Sequence, residues 1–450
     1  MAAPALERRL GPVDAAAIIV SNVIGSGIFL TPAFVAALTG DAWSMIGVWL
    51  LGGGIAFAGA MACAELAALR PRAGGEYVYL REAFGPMAAF LTGWTSFVAG
   101  FSGAIAASAV GFASYIGRFV PAAGDVRPLV DLPLGFLRLT VTPQALVAIL
   151  VIALLSLVHV RGLGPGRLVQ NVLAGAKVTG LVLLILLGFG VGEGSWTHFG
   201  PPSAVPPGSW LLALVPVMFS YSGWNAASYV AEEIRNPPRF LPRALGLGTG
   251  AVVLLYVVLN VLYVYSIPVD ALATLDRSVM DVIAERLFGP RAGDLLAILT
   301  AVSIAASVSA MIIAGPRVYF AMARDGVFFR RAAQVHPRYH TPAAAIVAQA
   351  AWSALLVLTG SFSQLITYTG FAVVLFSGIA GVALFVLRRR FPDEPRPFRA
   401  WGYPVMPGLF VLASALIVAN AIWRDPGPSA AGLLIMAAGL PLYLVLTRKK

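Results

Sequence analysis

The chain has 450 residues, of which 59% are apolar and only 11% are charged. A typical soluble domain carries about 25% charged residues, so these proportions exclude a large soluble enzyme and an intrinsically disordered chain. The single cysteine, Cys63, excludes an intramolecular disulfide framework and a zinc cluster of cysteines. The net charge of +11 has to be explained by where the Lys and Arg residues lie along the chain.

Apolar segments of about 20 residues, the length needed to cross a bilayer, recur along the chain. The apolar runs are continuous rather than alternating, which excludes a β-barrel and predicts an all-α integral membrane protein. We expect no signal peptide, because the charged stretch 1–10 lacks a small-residue cleavage site. The twelve predicted transmembrane helices span 12–38, 43–69, 86–117, 142–160, 168–190, 209–233, 243–267, 292–323, 342–360, 363–388, 404–423 and 429–447.

Lys and Arg residues are distributed unequally between the two sides of these segments. With the N-terminus placed in the cytoplasm, the inner loops and tails hold 22 of the 31 and the outer loops hold seven. Because positive residues favour the cytoplasmic side, the bias predicts a multi-pass protein of the cytoplasmic membrane with both termini inside. The lipid bilayer therefore explains the basic charge, and we expect no nucleic-acid partner.

Segment one contains Ser21-Asn22-Val23-Ile24-Gly25-Ser26-Gly27-Ile28-Phe29 in mid-membrane. Each glycine lowers helix propensity by about 1 kcal/mol, so the pair that flanks Ser26 favours an unwound stretch. Close helix packing through small residues is the alternative explanation.

Segment six contains the stretch Phe219-Ser220-Tyr221-Ser222-Gly223-Trp224-Asn225, which is again small and polar at membrane depth. Segments one and six stand five apart and run in opposite directions. Interruptions at corresponding positions of two halves indicate the binding site of a secondary transporter. The pattern predicts inverted repeats of five helices over 12–190 and 209–390, with helices 1 and 6 interrupted.

An unwound helix frees backbone N–H groups on one side of the break and C=O groups on the other, and in hydrocarbon these groups need partners. A zwitterion fits, with its carboxylate on the N–H groups and its ammonium on the carbonyls. We expect the N–H groups from Ser26, Gly27 and Ile28 and the carbonyls from Ser21, Val23, Ile24, Phe219 and Ser222.

Lys177 lies about ten residues into segment five. A lysine at the bilayer centre costs about 2.5–3.5 kcal/mol on insertion scales, and this one lies too deep to reach the interface easily, which indicates a function. Tyr256 lies in segment seven, and Ser303 and Ser307 in segment eight are candidate neighbours of the lysine. Packing serines and a core tyrosine are the alternatives.

Three stretches together resemble the amino acid permeases of the amino acid–polyamine–organocation superfamily, close to the L-type amino acid transporter group. They are Gly25-Ser26-Gly27-Ile28-Phe29 with Thr31-Pro32, the region from Ala64-Glu65-Leu66 through Gly74-Gly75-Glu76-Tyr77-Val78-Tyr79-Leu80 to Ala83-Phe84-Gly85, and Phe219–Asn225 running into Glu232-Glu233-Ile234-Arg235-Asn236-Pro237.

The resemblance implies a leucine-transporter-like fold, in which two additional helices over 404–447 follow the five-plus-five inverted repeat. It implies alternating access around a midplane amino acid site. Carried over by motif, Gly25, Ser26 and Gly27 resemble the carboxylate cradle, Phe219 the gate over the substrate, and Asn225 the polar residue beside it.

In related permeases a lysine at the position of Lys177 occupies the place where sodium-coupled relatives bind a cation, between segments one and eight. The resemblance thus implies sodium-independent transport, with Tyr256 supporting the lysine network. We expect Lys177 to donate to the carbonyl of Asn22 or Val23 and to hydroxyls of segment eight. The sequence leaves open whether it is a charged strut or a proton carrier.

Loops carry further expectations. A cysteine between segments three and four joins the eukaryotic relatives to an ancillary glycoprotein, but the loop 118–142 has none, so no disulfide-linked heavy chain is expected. We expect a short interfacial helix over 70–85 and an extracellular hairpin over 268–290. Glu65, Glu232 and Glu233 are either gate partners of nearby arginines or ordinary solvated helix ends.

The function favoured is a permease or exchanger of neutral L-amino acids, because 86–117 contains no Asp or Glu to pair with a cationic side chain at low dielectric. The alternative is an amine, polyamine or cationic amino acid permease of the same fold, including a proton-coupled one. Without a P-loop, a nucleophile elbow or metal-ligand spacing, we expect no cofactor, no metal site and no enzymatic activity.

Overall fold

The computed structural model describes residues 6–25, 27–134, 137–201, 205–275, 278–360 and 362–447. In these residues, nine helices are long and apolar enough to cross a membrane, or ten when the bent pair Pro12–Val23 and Gly27–Thr39 counts as one span. Two shorter apolar helices cover Gly208–Ser220 and Ala343–Thr359. The predicted helical, multi-pass membrane architecture is therefore confirmed.

The first half of the chain places one π-helical turn, Ser96–Gly100, inside the continuous span Pro86–Gly117. Such turns free backbone carbonyls, and here Tyr319 and Trp352 donate to the carbonyls of Ser96 and Val98. The helices of this half are α1 (Pro12–Val23), α2 (Gly27–Thr39), α3 (Ala42–Leu69), α4 (Glu76–Phe84), α5 (Pro86–Thr95), α6 (Phe101–Gly117), α7 (Pro143–Val160) and α8 (Leu163–Gly190).

The second half contains the longest helix of the described chain and ends in a pair of helices separated by one residue. Its helices are α9 (Pro207–Ser220), α10 (Ala226–Tyr229), α11 (Pro237–Ser266), α12 (Val269–Ala273), α13 (Val279–Phe288), α14 (Pro290–Arg324), α15 (Ala343–Thr359), α16 (Phe362–Arg390), α17 (Val405–Arg424), α18 (Pro426–Ala437) and α19 (Gly439–Thr447).

Burial separates peripheral helices from a central one. In α7 and in α8, only 33% of the most apolar 18-residue stretch is buried. Leucines such as Leu150 and Leu186 are more than half exposed. Such outward apolar faces suit contact with lipid. In α14, 83% of the corresponding stretch is buried, and the helix packs against α1, α6 and α8. The centre of the protein, where α1 meets α14, is thus where a polar side chain needs partners.

The connections add three elements. The loop between α6 and α7 contains an antiparallel hairpin of β1 (Val130–Leu134) and β2 (Leu137–Val141), which the all-α prediction did not include. In the stretch expected to be an extracellular hairpin, the structure has two short helices, α12 and α13, and both pack against α2. In the stretch expected to be an interfacial helix, α4 buries six of its nine residues and packs against α5 and α16.

Candidate functional site

The first predicted segment is broken where the glycines predicted it. Helix α1 ends at Val23, because Ile24 leaves helical geometry (φ −74°, ψ 88°) and the N–H of Gly25 turns back to the carbonyl of Val23. Helix α2 begins at Gly27, and the two axes differ by 47°. The predicted interruption is confirmed. Ser26, a predicted site residue, lies outside the described residues.

The sixth predicted segment is also broken. Helix α9 ends at Ser220, and the turn that follows leads to the one-turn helix α10. Gly223 in this turn has φ +100°, a conformation that L side chains rarely adopt. A Cβ atom there would lie 3.0 Å from the carbonyl oxygen of Asn22. The two breaks are therefore in contact with each other.

Lys177 reaches the end of α1 from α8. Its side chain is fully buried, and Nζ donates to the carbonyl oxygen of Ser21 (3.1 Å), to that of Ile24 and to Ser307 Oγ (3.1 Å). The predicted bridge between segments one and eight is thus formed. A buried ammonium needs several acceptors to offset the loss of water, and this site supplies three.

The expected acceptors on α1 were wrong: Lys177 bonds Ser21 and Ile24, not Asn22 or Val23. The reason lies in the broken helix end. The N–H of Gly25, which would bond the carbonyl of Ser21 in a continuous helix, is turned to Val23 instead. The non-helical torsion of Ile24 leaves its own carbonyl outside the helical ladder, so both carbonyls are open to the lysine.

The two serines of α14 differ in their contacts. Ser307 Oγ lies 2.7 Å from the carbonyl oxygen of Ser21 and 3.2 Å from that of Ile24, beside Lys177 Nζ. Ser303 contributes its backbone carbonyl to Ser307, whereas its hydroxyl is buried and has no hydrogen-bond partner in the described part of the chain. Of the two serines, only Ser307 therefore joins Lys177 in bonding the freed carbonyls of α1.

Tyr256 joins the two breaks. Its hydroxyl lies 2.9 Å from the carbonyl oxygen of Val23 and 3.3 Å from that of Ser220, while its ring packs edge-on to Trp49 and against Tyr221. The resemblance predicted a tyrosine that supports the lysine network. In the structure, Tyr256 adds to that network by bonding the carbonyl of Val23, which Lys177 does not reach.

The carbonyls predicted to hold a substrate ammonium are occupied by protein donors. Those of Ser21 and Ile24 both accept from Lys177 and both lie within hydrogen-bond distance of the single hydroxyl donor of Ser307, and that of Val23 accepts from Tyr256 and from Gly25 N–H. A carbonyl oxygen has two lone pairs. In this conformation these three carbonyls hold α1 in place through protein donors.

Gly25 and Gly27 have different surroundings. A Cβ atom on Gly25 would meet Ser307 Oγ alone, at 4.0 Å, so this glycine borders open space. A Cβ atom on Gly27 would lie 2.9 Å from Ser220 Cα, where α2 packs against α9. The alternative explanation by close packing thus applies to Gly27, while Gly25 leaves room beside the first break. Ile28, the next N–H group, is fully buried.

The residues predicted on segment six fall into two groups. Phe219, in the last turn of α9, is 52% exposed, and Ser222 is partly buried in the turn. Asn225 is buried and donates from Nδ2 to Glu76 Oε1 (2.7 Å) and to the hydroxyl of Tyr229 (3.2 Å). Sequence analysis missed the contribution of Glu76, although the motif Gly74-Gly75-Glu76-Tyr77 was visible.

Ion pairs close the end of the protein predicted to face the cytoplasm. Arg317 is buried and donates to both carboxylate oxygens of Glu233 at 3.1 and 3.0 Å, and Arg324 binds Glu232. Glu65 instead lies against the arginines of the 388–396 region. All three glutamates considered from sequence therefore pair with arginines, Glu232 with Arg324 and Glu233 with Arg317.

Backbone contacts close the same end. Leu10 donates to the carbonyl of Glu233 (2.9 Å) and accepts from the N–H of Arg235 (2.8 Å), which fastens the chain before α1 to the end of segment six. Outside the spans, the guanidinium of Arg70 holds the pKa of the Glu394 carboxyl below its ordinary value. This end of the protein is therefore joined by both ion pairs and backbone hydrogen bonds.

Comparisons with known proteins agree over nearly the whole chain. The model of the amino acid permease family matches residues 10–446. The human large neutral amino acids transporter small subunit 2 is 31% identical over 449 residues, which cover 98% of this chain and 81% of the relative.

Two other relatives show similar coverage. The serine/threonine exchanger SteT of Bacillus subtilis (strain 168) is 27% identical over 448 residues, 99% of this chain and 98% of the relative. The mouse Asc-type amino acid transporter 1 is 28% identical over 448 residues, 98% of this chain and 81% of the relative. The range matched by the family model, residues 10–446, spans both broken segments and Lys177.

Proposed function

The chain belongs to the amino acid permease family, and from this membership we propose that it is a sodium-independent secondary transporter of neutral L-amino acids that works by alternating access. The family and the relatives are transporters, not enzymes. The observation that carries the proposal is the cluster of Lys177 Nζ, the Ser21 and Ile24 carbonyls and Ser307 Oγ, which places a fixed cation beside the first break.

We group the helices into twelve spans. The pairs α1–α2, α9–α10 and α18–α19 each count as one span, and α5, the π-helical turn and α6 form another. The repeats are then 12–190 and 209–390, with 404–447 as the two additional helices. Breaks in spans one and six, which touch at Gly223 and Asn22, support this leucine-transporter-like arrangement.

The substrate carboxylate is proposed to lie at the start of α2. The first N–H groups of a helix have no acceptor within it and carry the positive end of its dipole, so Ser26, Gly27 and Ile28 can bind an anion. Gly25 keeps the approach open because a Cβ there would enter free space. The open space beside Gly25 lets the carboxylate approach this backbone closely.

The substrate ammonium is proposed to lie on the second break. The carbonyls of Ser21, Val23 and Ile24 accept protein donors in this conformation, so an ammonium uses them only when those donors move. The carbonyls of the segment-six turn near Phe219 and Ser222 and the side chain of Asn225 remain as candidates. Phe219 is half exposed, which gives it the freedom a gate requires.

A neutral side chain is favoured because α5 and α6 contain no Asp or Glu. The names of the relatives specify neutral amino acids or serine and threonine. Glu76, the buried carboxyl nearest to the second break among those described, is engaged by Asn225 and Ser377. A cationic side chain would therefore lack a free counter-charge at the site.

In alternating access, the end that the ion pairs join must open. The buried pair of Arg317 and Glu233, which joins α14 to the end of segment six, is the contact that we propose breaks in the inward-open state. Breaking a buried pair costs about 3–5 kcal/mol when one charge is left unpaired, so water or new partners must replace it.

We place the protein in the cytoplasmic membrane with both termini in the cytoplasm, since the predicted inner loops hold 22 of the 31 Lys and Arg residues. The human relative is named a small subunit. The corresponding loop of this chain, 118–142, has no cysteine, so we propose that the transporter acts without a disulfide-linked heavy chain.

Reconstitution in liposomes tests the proposal. Uptake of labelled L-serine and L-leucine would be measured against competitors that include neutral amino acids, arginine and putrescine. We expect neutral L-amino acids to compete best, because the substrate needs both a carboxylate and an ammonium. Arginine or putrescine as the best competitor would instead support the alternative permease of amines or cationic amino acids.

A further inference from the structure

Glu76 is a carboxyl buried among uncharged groups of the described chain. It is the first residue of α4 and is 6% exposed. Among the described residues, no Lys, Arg or His forms an ion pair with it. A buried carboxylate is costly unless it is paired or changes its protonation state, so this side chain needs a role.

Its surroundings are polar but uncharged. Glu76 Oε1 accepts from Asn225 Nδ2 and from Ser377 Oγ, each at 2.7 Å. Three helices supply the ionisable groups that face it: Cys63 on α3, Tyr79 on α4 itself and Tyr229 on α10. All three are neutral near neutral pH, and α16 contributes the hydroxyl of Ser377.

Opposing effects act on the proton of Glu76. Burial raises the pKa of its carboxyl, and the hydrogen bonds from Ser377, Asn225 and Tyr229 oppose that rise without cancelling it. The start of α4 also favours the charged form, because the helix dipole is positive there. The pKa of Glu76 is therefore raised above its ordinary value, chiefly because the carboxyl is buried.

The geometry links Glu76 to the second break through Asn225. A carboxamide has two N–H donors and one carbonyl acceptor. Both donors are used inside the protein, by Glu76 Oε1 and by the hydroxyl of Tyr229. Asn225 can therefore offer only Oδ1, an acceptor, to a substrate at the break.

The backbone makes this link stiff. The N–H of Gly74 donates to the carbonyl of Tyr229 at 3.0 Å. A Cβ atom on Gly75, which has φ +52°, would lie 2.6 Å from the Tyr229 ring. The start of α4 is therefore held against α10. A change in the protonation of Glu76 then alters the position of Asn225, because no loose loop lies between them.

We propose that Glu76 is a proton-binding site, whose ionised form orients Asn225 Oδ1 towards the substrate ammonium and whose protonation weakens substrate binding. The inference rests on the proposed function, because it takes Asn225 as an ammonium acceptor. Protonated Glu76 loses the negative charge that holds Nδ2 of the amide, and its new O–H favours a flipped amide in which Oδ1 accepts from Glu76 instead of facing the substrate. By linkage, an ammonium that binds at Asn225 drives the proton from Glu76 into the medium.

The test measures substrate affinity against pH with the purified full-length protein. Binding of labelled L-serine or L-leucine to wild type, Glu76→Gln and Glu82→Gln would be measured between about pH 5 and pH 8. Glu76→Gln keeps an acceptor for Asn225 and Ser377 but has no charge. Glu82→Gln is the matched control, since Glu82 lies on the same helix and its partner Arg70 retains Glu394.

Wild type and Glu82→Gln should lose about tenfold in affinity as the pH falls through the pKa of Glu76, a typical size for coupling between two sites. Glu76→Gln should bind with the weak, acid-form affinity at every pH. The same pH dependence in Glu76→Gln as in wild type, or an affinity of wild type that does not change with pH, would overturn the proposal.

Infrared difference spectra give a second readout that does not need the variant to transport. Substrate added to wild type near the midpoint of the pH profile should remove a protonated-carboxyl C=O band, and Glu76→Gln should lack this change. A band that persists in Glu76→Gln would place the proton elsewhere and contradict the inference. Failure of wild type to bind any neutral amino acid would count against the proposed function instead.

Discussion

Lys177 Nζ donates to the carbonyl oxygen of Ser21 across 3.1 Å, which ties the middle of α8 to the last turn of α1. The same ammonium reaches Ile24, the first residue beyond that helix. The side chain of Lys177 therefore holds the broken end of α1 by bonding carbonyls that the break frees from the helix.

Lys177→Ala should strongly impair transport. The substitution leaves the carbonyls of Ser21 and Ile24 with one donor fewer, and an unmet buried acceptor costs about 1–3 kcal/mol. Initial uptake rates in liposomes with equal amounts of incorporated protein give the comparison. Uptake near the wild-type rate would remove the lysine from the mechanism.

The wild-type protein also separates the two roles proposed for Lys177. If it is a proton carrier, an inward proton gradient should stimulate uptake. If it is a charged strut, exchange should be insensitive to that gradient.

The two serines of α14 should differ on substitution. Ser307→Ala removes a hydroxyl that contacts Lys177, Ser21 and Ile24, so we expect uptake to fall several-fold, in keeping with a net value of about 1 kcal/mol for a hydrogen bond. Ser303→Ala removes a hydroxyl with no partner among the described residues and should leave uptake close to wild type. Equal losses in both variants would show that the hydroxyl contacts do not matter.

Substitution of the two glycines should separate packing from binding. Gly27→Val should abolish uptake, because even its Cβ would lie 2.9 Å from Ser220 Cα and force α2 away from α9. Gly25→Ala meets open space, so it should preserve the melting temperature while it weakens substrate affinity. Thermal unfolding in detergent and binding of labelled substrate check both. Normal affinity in Gly27→Val would contradict the assigned contact and the carboxylate cradle.

Tyrosines on α11 offer another matched pair. Tyr256→Phe removes the hydroxyl between Val23 and Ser220 and should slow transport, since the two buried carbonyls lose the donor that lies between them. Tyr263 is equally buried, and its hydroxyl has no hydrogen-bond partner in the described part of the chain. Tyr263→Phe should therefore transport like wild type. A slower rate in Tyr263→Phe than in Tyr256→Phe would refute this assignment.

Much of the helical architecture and both breaks could be predicted from sequence, because hydrophobic length and glycine position act locally. The acceptors of Lys177 could not. They depend on the torsion of Ile24 and on the turn of the Gly25 N–H to Val23, which the pattern of residue types does not specify. A helix that breaks one residue earlier or later would present different carbonyls to the same lysine.

Contacts between distant segments were harder to predict. The role of Glu76 depends on Asn225, 149 residues away, and on Ser377, 301 residues away. The motif around Glu76 was recognised as a family feature, but its chemistry emerges only when α4 packs against α10 and α16. The hairpin of β1 and β2 was missed because two five-residue strands give a weak periodic signal beside long apolar helices.

The central claim, that Lys177 supplies the cation of the site, is tested most directly by the sodium dependence of wild-type uptake. Uptake of a labelled neutral amino acid into liposomes would be measured with an inward sodium gradient and with sodium replaced by potassium or choline, at matched membrane potential. We predict equal initial rates, because the carbonyls of Ser21 and Ile24 already bind the ammonium of Lys177. Uptake that requires the sodium gradient would contradict the claim.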